Sequence, residues 1–302
     1  MTDSVVDAAG PRWAAVVVNY ESGPLLVACV ESLLADRSAG DPEVVVVDNG
    51  SRDGSVASLR RACPTVRVID DRENLGYATA ANRGIAATSA PIVAVCNPDL
   101  EVQPGTAAAL LGRFDREADL AAVGPVLLNP DGSQYPSARS VPVPLDAAGH
   151  ALFGRFRPRN RFTRRYRQLD ADPTAARDVD WLSGAMLFLR RTAVASVGGW
   201  DERYFMYMED VDLCWRLRRL GWRIAYEPRG AATHVQGAST DRHPYRMIIE
   251  HHRSVFRFAA RRWHGVQRWL LVPAAVFLSG RAVFELVARA LRPRSAAPRV
   301  SG

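Results

Sequence analysis

A chain of 302 residues is long enough to bury a sizeable core, as one large domain or two ordinary ones, and its 48% apolar content is ordinary for a globular protein. The net charge of +7 is carried by arginine alone, with no lysine anywhere. A basic surface of this kind attracts phosphate groups in lipids, nucleotides or nucleic acid. Cys29, Cys63, Cys96 and Cys214 are far apart and form no Cys-x-x-Cys pair, which excludes a disulfide scaffold and a cysteine zinc site and points to a reducing cytosol.

The N-terminus carries Asp3 and Asp7 and no basic segment before an apolar run, so no signal peptide is expected. From Trp13 to Gly124, strand-like and helix-like runs alternate. Strands are expected at Ala14–Asn19, Glu43–Asp48, Val66–Asp70 and Ile92–Cys96, and helices at Pro24–Ala35, Ser55–Ala62, Tyr77–Ala87 and Pro104–Glu117. The strands are apolar and β-branched throughout, as in a parallel sheet covered on both faces. The pattern is that of a doubly wound α/β fold, which binds ligands beyond the carboxyl ends of its strands. Polar residues gather at those ends: Asn19-Tyr20-Glu21, the run from Asp48 to Gly54, and Asn97-Pro98-Asp99. Each cluster alone fits a turn or a helix cap. Three on one rim favour a site.

No Gly-x-Gly-x-x-Gly follows the first strand and no Gly-Lys-Ser is present, which removes the main support for a dinucleotide dehydrogenase or a P-loop enzyme. Asn129 to Gly132 reads as a turn. The stretch from Arg139 to Asp178, with arginines concentrated between Phe153 and Arg167, shows no clear periodicity and is expected to be a mobile insertion. The apolar Val179–Leu189 segment follows, with Trp181 and Ser183-Gly184-Ala185 inside it, and then a short helix ending at Gly198-Gly199. After Glu209-Asp210, Leu213, Leu217 and Leu220 recur at helical spacing and Gly221 marks a stop. A strand over Arg223–Tyr226 and the run from Thr233 to Gly237 complete the globular part.

Three carboxylates, Glu209, Asp210 and Asp212, therefore sit in the first turn of an amphipathic helix. Complementing the helix dipole explains such acids at a generic helix start, at about 0.3–1 kcal/mol each. Here Tyr204, Phe205 and Tyr207 precede them and Trp215 follows, the aromatic surface on which sugars are met. Transfer of a sugar from a nucleotide diphosphate builds negative charge on the leaving phosphate, which a divalent cation stabilises, and it requires a base for the acceptor hydroxyl. Asp99 is placed for a hard cation and Asp210 for the base. His234 offers a nitrogen that would favour manganese over magnesium. His251 and His252, in a basic helical stretch, read as structural.

Six ordered motifs carry a resemblance: Val17-Val18-Asn19-Tyr20; Val47-Asp48-Asn49-Gly50-Ser51 with Asp53-Gly54; Asn74, Gly76, Tyr77, Asn82 and Gly84; Asn97-Pro98-Asp99; Gly198-Gly199-Trp200-Asp201-Glu202 with Tyr204-Phe205; and Glu209-Asp210 with Asp212-Leu213. Over about Trp13 to Ser239 the chain resembles the family 2 inverting glycosyltransferases. The resemblance implies a GT-A fold, a Rossmann-like mixed and mostly parallel sheet flanked by helices. It implies a nucleotide contacted by Asn19, Tyr20, Asp48, Asn74, Gly76, Asn82 and Asn97, with Asp48 reading the base. Asp99 and His234 would hold the metal, Asp210 would act as base, and Trp181, Gly184 and Glu209 would line the acceptor site. Asn97 stands where the metal element often has its first Asp. Within the family the chain looks most like bacterial rhamnosyltransferases that move L-rhamnose from dTDP-rhamnose onto polyprenyl-diphosphate-linked N-acetylglucosamine in cell-wall synthesis.

Residues 1–240 are expected to form the transferase domain, with a nucleotide half over 1–125 and an acceptor half over 126–240. Residues 241–302 form a basic, amphipathic extension. Arg246, Arg253, Arg257, Arg261 and Arg268 recur among Phe256, Phe258, Trp263 and Trp269, the composition of a helix lying in a membrane interface. The apolar run Trp269–Gly280 is 12 residues and holds Pro273, short of the roughly 20 that span a bilayer. A peripheral enzyme on the cytoplasmic face of the cell membrane is expected, and a homo-oligomer is compatible with the sequence. Alternatives are the same chemistry with a UDP- or GDP-sugar, or a non-catalytic nucleotide-sugar-binding module. Nucleic-acid binding through the arginines gives the acidic site no role and is not expected.

Overall fold

The computed structural model describes residues 10–141, 144–154, 156–235 and 243–291. The readings on Asp3 and Asp7, on Gln236, Gly237 and Ser239, and on Arg294 lie outside these. The chain divides into two compact units: residues up to Phe205 with Glu209–Ser239, and Met206–Met208 with Thr240–Gly302.

In the first unit the strands are β1 (Trp13–Asn19), β2 (Glu43–Asp48), β3 (Arg67–Asp70), β4 (Ile92–Cys96), β5 (Leu100–Val102), β6 (Leu120–Leu128), β7 (Gln134–Tyr135), β8 (Ala138–Arg139), β9 (Arg177–Asp178), β10 (Trp181–Leu182), β11 (Met186–Arg190) and β12 (Arg223–His234). The helices are α1 (Leu25–Ala35), α2 (Ser55–Ala62), α3 (Tyr77–Ala86), α4 (Thr106–Arg116), α5 (Pro144–Phe153), α6 (Arg161–Arg167), α7 (Arg191–Ser196) and α8 (Glu209–Arg219). The main sheet runs β3-β2-β1-β4-β11-β6-β12-β5. Its first four strands are parallel, β11 is antiparallel to both neighbours, and β12 is parallel to β6. Every residue of β1 and β4 is buried, as unbroken apolar strands between helical layers require.

The parallel half follows the periodicity closely. The antiparallel half does not. Arg223 to Tyr226 is only the start of a strand that continues to His234 through a register shift between Tyr226 and Ala231. The β6 strand runs through residue 125, so one sheet continues across both expected halves.

The segment Arg139–Asp178 departs most from expectation, because it contains α5 and α6. Asn160 caps α6 by accepting from the Phe162 and Thr163 amides, and Phe162 stacks on Phe153 at 6.4 Å. Arginines at most α6 positions hide the apolar spacing that marks a helix.

The second unit holds α9 (Pro244–Arg262), a 3-10 segment over Gly265–Leu270 and α10 (Leu271–Ala290). The residues Gly265–Ala290 form a 26-residue helical stretch in which an 18-residue window has a mean hydropathy of 1.8 and is unburied, long and apolar enough by length and composition to cross a membrane. The apolar run is thus longer than the expected 12 residues. Arg281, which ended it by inspection, is neutralised one turn on by Glu285 at 2.8 Å, and the helix continues past both. Arg268 falls in the 3-10 segment and not on the α9 helix.

Candidate functional site

Asn19, Asp48 and Asn97 stand at the carboxyl ends of β1, β2 and β4, the rim at which an open parallel sheet binds ligands. Asn19 is fully buried and donates from Nδ2 to Asp48 Oδ1 at 2.6 Å. The other Asp48 oxygen accepts from the Ser51 amide at 2.9 Å. This pair holds the loop of residues 49–54 in shape. That loop, with Arg60, Asp70, Asp71 and Arg72, lines a cleft of about 430 Å³. Tyr20, half-buried, follows Asn19 in the chain.

The second loop from Asn74 is drawn inward. Asn74 Oδ1 accepts from the Gly76 amide at 3.0 Å, and the Asn49 side chain donates to the Gly76 carbonyl at 3.3 Å. Gly76 has φ +93°, and a Cβ there would lie 2.7 Å from the Phe205 carbonyl oxygen. Only glycine meets both conditions. Asn82, expected at the nucleotide, directs its amide elsewhere: it donates to Trp200 O at 2.9 Å and Glu202 Oε1 at 2.8 Å, and accepts from the Trp200 amide. It fixes the Gly198–Glu202 turn.

Sheet register makes the candidate cation site. His234 ends β12 opposite Leu100 of β5, which brings it beside Asp99. His234 Nε2 lies 3.1 Å from Asp99 Oδ1 and 3.2 Å from Asn97 Nδ2. Asp99 Oδ1 is buried without a hydrogen-bond partner and faces the ring nitrogen. A cation between them would satisfy that oxygen, so the residues fit a divalent metal. No group of three or more His, Cys, Asp or Glu side chains that would enclose an ion occurs among the described residues. Two protein donors leave positions for phosphate oxygens and water, as hard cations favour at nucleotide sites.

Asp210 is held from both sides. Its Oδ2 accepts from the Gly184 amide at 2.8 Å and its Oδ1 from the Val211 amide at 2.8 Å. Gly184 is kept small by this contact, since a Cβ would stand 3.2 Å from Asp210 Cβ. Tyr77, which sequence reasoning left unassigned, donates its hydroxyl to the Gly184 carbonyl at 2.8 Å and fixes the same turn. Asp212 is fully buried on Arg216 at 2.6 Å, and Arg216 also donates to the Val197 and Gly199 carbonyls. The third acid of the cluster therefore anchors α8 and has no part in chemistry.

Glu209 is buried, with Oε2 lacking a hydrogen-bond partner. Burial, and then the neighbouring Asp210 charge, push its carboxyl well above the ordinary range. Burial also raises Asp210, but the Gly184 and Val211 amides oppose the shift. The environments separate the two acids: both are raised by burial, and Glu209, which lacks the amide donors that oppose the shift at Asp210, is raised further.

Trp181 is buried, donates Nε1 to Ser140 O at 3.1 Å and carries the Arg139 guanidinium 5.0 Å from its ring centroid. It walls the site without presenting a free ring. All four cysteines are buried and free, and burial lifts Cys29 and Cys214 to about 12, so none is a nucleophile. Sequence reasoning missed Arg139, Tyr135, Asp70 and Asp71. For the last two the signal was an acidic pair at the end of a strand.

Residues 14–194 match the model of "Glycosyl transferase family 2", and residues 160–292 match "Glycosyl transferase family group 2". The chain is 41% identical over 274 residues to an N-acetylglucosaminyl-diphospho-decaprenol L-rhamnosyltransferase of Mycobacterium tuberculosis, covering 85% of this chain and 88% of that relative. Among solved structures, a mannosyltransferase of Pyrobaculum calidifontis in complex with GDP-Man and Mn2+ aligns with TM-score 0.54 at 18% identity, covering 95% of this chain and 77% of that one. GalNAc-T7 with UDP, GalNAc and Mn2+ aligns with TM-score 0.54 at 14% identity, over 74% of this chain and 43% of that one. These two share the fold. With a GT-A sheet and a full-length relative of this similarity, the chain belongs to glycosyl transferase family 2 and is a glycosyltransferase.

Proposed function

We propose that the protein moves L-rhamnose from dTDP-rhamnose onto a polyprenyl-diphosphate-linked N-acetylglucosamine, with inversion at the transferred carbon. The observation that carries this reading is the 41% identity, across 85% of the chain, to a transferase named for that acceptor and sugar. The nucleoside would occupy the cleft bounded by Asp48, Asp70 and Asp71, with Asn19, Tyr20, Asn49, Asn74, Gly76 and Asn97 shaping its approach. Asn82 acts by holding the Gly198–Glu202 turn.

Asp99 and His234 would hold magnesium or manganese, and when bound the cation offsets charge on the departing diphosphate. Asp210 takes the proton of the acceptor hydroxyl as that oxygen attacks the anomeric carbon from the face opposite the diphosphate. The Gly184 amide fixes the direction of the carboxylate, and protonated Glu209 keeps a second negative charge away from it. Fixed general bases contribute about 10²–10⁴ in rate. The C-terminal unit associates with the cytoplasmic face of the cell membrane, where such an acceptor is presented.

The test is product formation from a panel of dTDP-, UDP- and GDP-sugars with the diphosphate-linked N-acetylglucosamine acceptor, with and without added manganese. Metal-dependent transfer from dTDP-rhamnose above the others is expected, with Asp210→Asn lowering turnover about 10²–10⁴-fold and leaving donor binding intact. A UDP- or GDP-sugar used in preference would overturn the donor assignment, and near-normal turnover by Asp210→Asn would overturn the base.

A further inference from the structure

Arg139, whose charge acts on Asp210, and Arg167 at the end of α6 make no direct ion pair among the described residues. Arg139 ends β8 opposite Trp181 of β10, and its guanidinium lies within 5.4 Å, 5.6 Å and 5.0 Å of the ring centroids of Tyr135, Tyr166 and Trp181. It donates to neutral oxygens: Pro136 O at 2.8 Å, the Tyr135 hydroxyl at 2.7 Å and the Tyr166 hydroxyl at 3.3 Å. Arg167, at the end of α6, has a fully buried Nε without a hydrogen-bond partner. Neither forms an ion pair with a carboxylate among the described residues. The two are close enough to feel each other: burial first, and then the Arg139 charge, lower the Arg167 pKa.

This cationic box sits between the two ends of the reaction. The Tyr135 ring stands edge-on to His234 at 6.3 Å, on the candidate cation side. Trp181 leads through Leu182 and Ser183 to Gly184, whose amide holds Asp210, and the Asp210 charge acts on Arg139. Guanidinium groups carry forked N–H donors that match the oxygens of a diphosphate. Both side chains are half-buried, and a bound diphosphate offsets the cost of withdrawing their charges from water.

We propose that Arg139 and Arg167 form the binding site for the diphosphate of the lipid-linked acceptor. The assignment rests on the acceptor reading given above. A diphosphate enters the reaction from two sources, donor and acceptor. The donor's is claimed by Asp99 and His234, which leaves the arginine pair for the acceptor's. Trp181 then serves the acceptor as the platform that holds Arg139.

The experiment has two arms. In the first, inorganic pyrophosphate is titrated into the full-length protein with chelator present, so that no metal site competes. Arg167→Ala should bind it about 10–100-fold more weakly, the loss expected for a charged hydrogen bond of about 1.5–3 kcal/mol, while Arg167→Lys recovers part of the affinity. Equal binding by wild type and Arg167→Ala, or no binding by either, overturns the site whether or not the proposed transfer is correct. In the second, N-acetylglucosamine linked through a diphosphate to a short prenyl chain is compared with the same sugar on an uncharged prenyl ether. Arg167→Ala should reduce the ratio of kcat/KM for the two acceptors about 10–100-fold with the donor KM unmoved. A rise in the donor KM in place of that change would assign the arginines to the donor's diphosphate and overturn the proposal.

Discussion

At the residue scale, the site depends on contacts shorter than a side chain can flex. The Gly184 amide donates to Asp210, the proposed base, and a Cβ placed there meets Asp210 Cβ at 3.2 Å. Gly184→Ala must therefore push the carboxylate or withdraw the amide that orients it. Misplacement of a catalytic group by about 1 Å costs on the order of 10²-fold. Turnover by Gly184→Ala is expected to fall by about that factor at unchanged dTDP-sugar affinity, and single-turnover kinetics with separate donor titration checks it.

Glu209 carries the opposite kind of prediction. Its folded pKa is raised, so it binds its proton more tightly folded than unfolded. Its contribution to stability is fully present below the ordinary glutamate pKa and is lost as pH rises through its raised folded value. Glu209→Gln removes that loss. The difference in Tm between Glu209→Gln and wild type should therefore grow in the variant's favour from about pH 4.5 upward. A difference that does not vary with pH would show that Glu209 is not held protonated.

At the scale of elements, α4 shows how a helix start is secured from a distant loop. Gly105 precedes the helix, and no α4 side chain caps its own amides. The cap comes from Asp36 after α1, which is buried and accepts from the Gly105 amide at 3.0 Å and the Ala107 amide at 2.7 Å. An anion at a helix N-terminus is favoured by the dipole as well as by the hydrogen bonds. Asp36→Ala should cost about 1–2 kcal/mol, read as a lower urea midpoint at unchanged slope. An unchanged midpoint would mean that water replaces the cap.

The same scale shows what the sequence could reveal. The βαβ half was legible because each strand is a continuous apolar run and each helix has one apolar face, signals contained within a single segment. Asp99 and Asp210 were legible because each stands at the end of such an element. The Asp36 cap and the clustering of Arg139 with Trp181 were not, because each is made by a crossover or an antiparallel register that joins residues far apart in the chain. The helix α5 opens on Pro144 and carries Gly149, both breaker signals, and α6 was hidden for another reason. Arginine, whose long apolar stem packs while its head remains in water, breaks the binary pattern without breaking the helix.

At the scale of the whole molecule, the +7 charge and the apolar C-terminal stretch would act in different ways on the proposed membrane partner. In the second unit, α9 ends in Arg261 and Arg262, while Trp269, Val272, Val276, Val283, Phe284 and Val287 are 51–81% exposed along the stretch that follows. Arginines near an anionic bilayer contribute about 1 kcal/mol each, and that contribution is screened as the Debye length falls from about 10 Å at 0.1 M salt to about 3 Å at 1 M. Apolar side chains buried in acyl chains are not weakened by salt in this way. The full-length protein should sediment with vesicles containing phosphatidylserine at both salt concentrations. A variant ending at His264 should sediment with them only at low salt, because it keeps α9 and loses the apolar helix. Release of the full-length chain at about 1 M salt would reduce the attachment to charge alone, and failure to sediment at either concentration would remove the membrane from the reading. If the attachment holds, confinement to the surface that carries the acceptor raises its effective concentration at the base without any further contact.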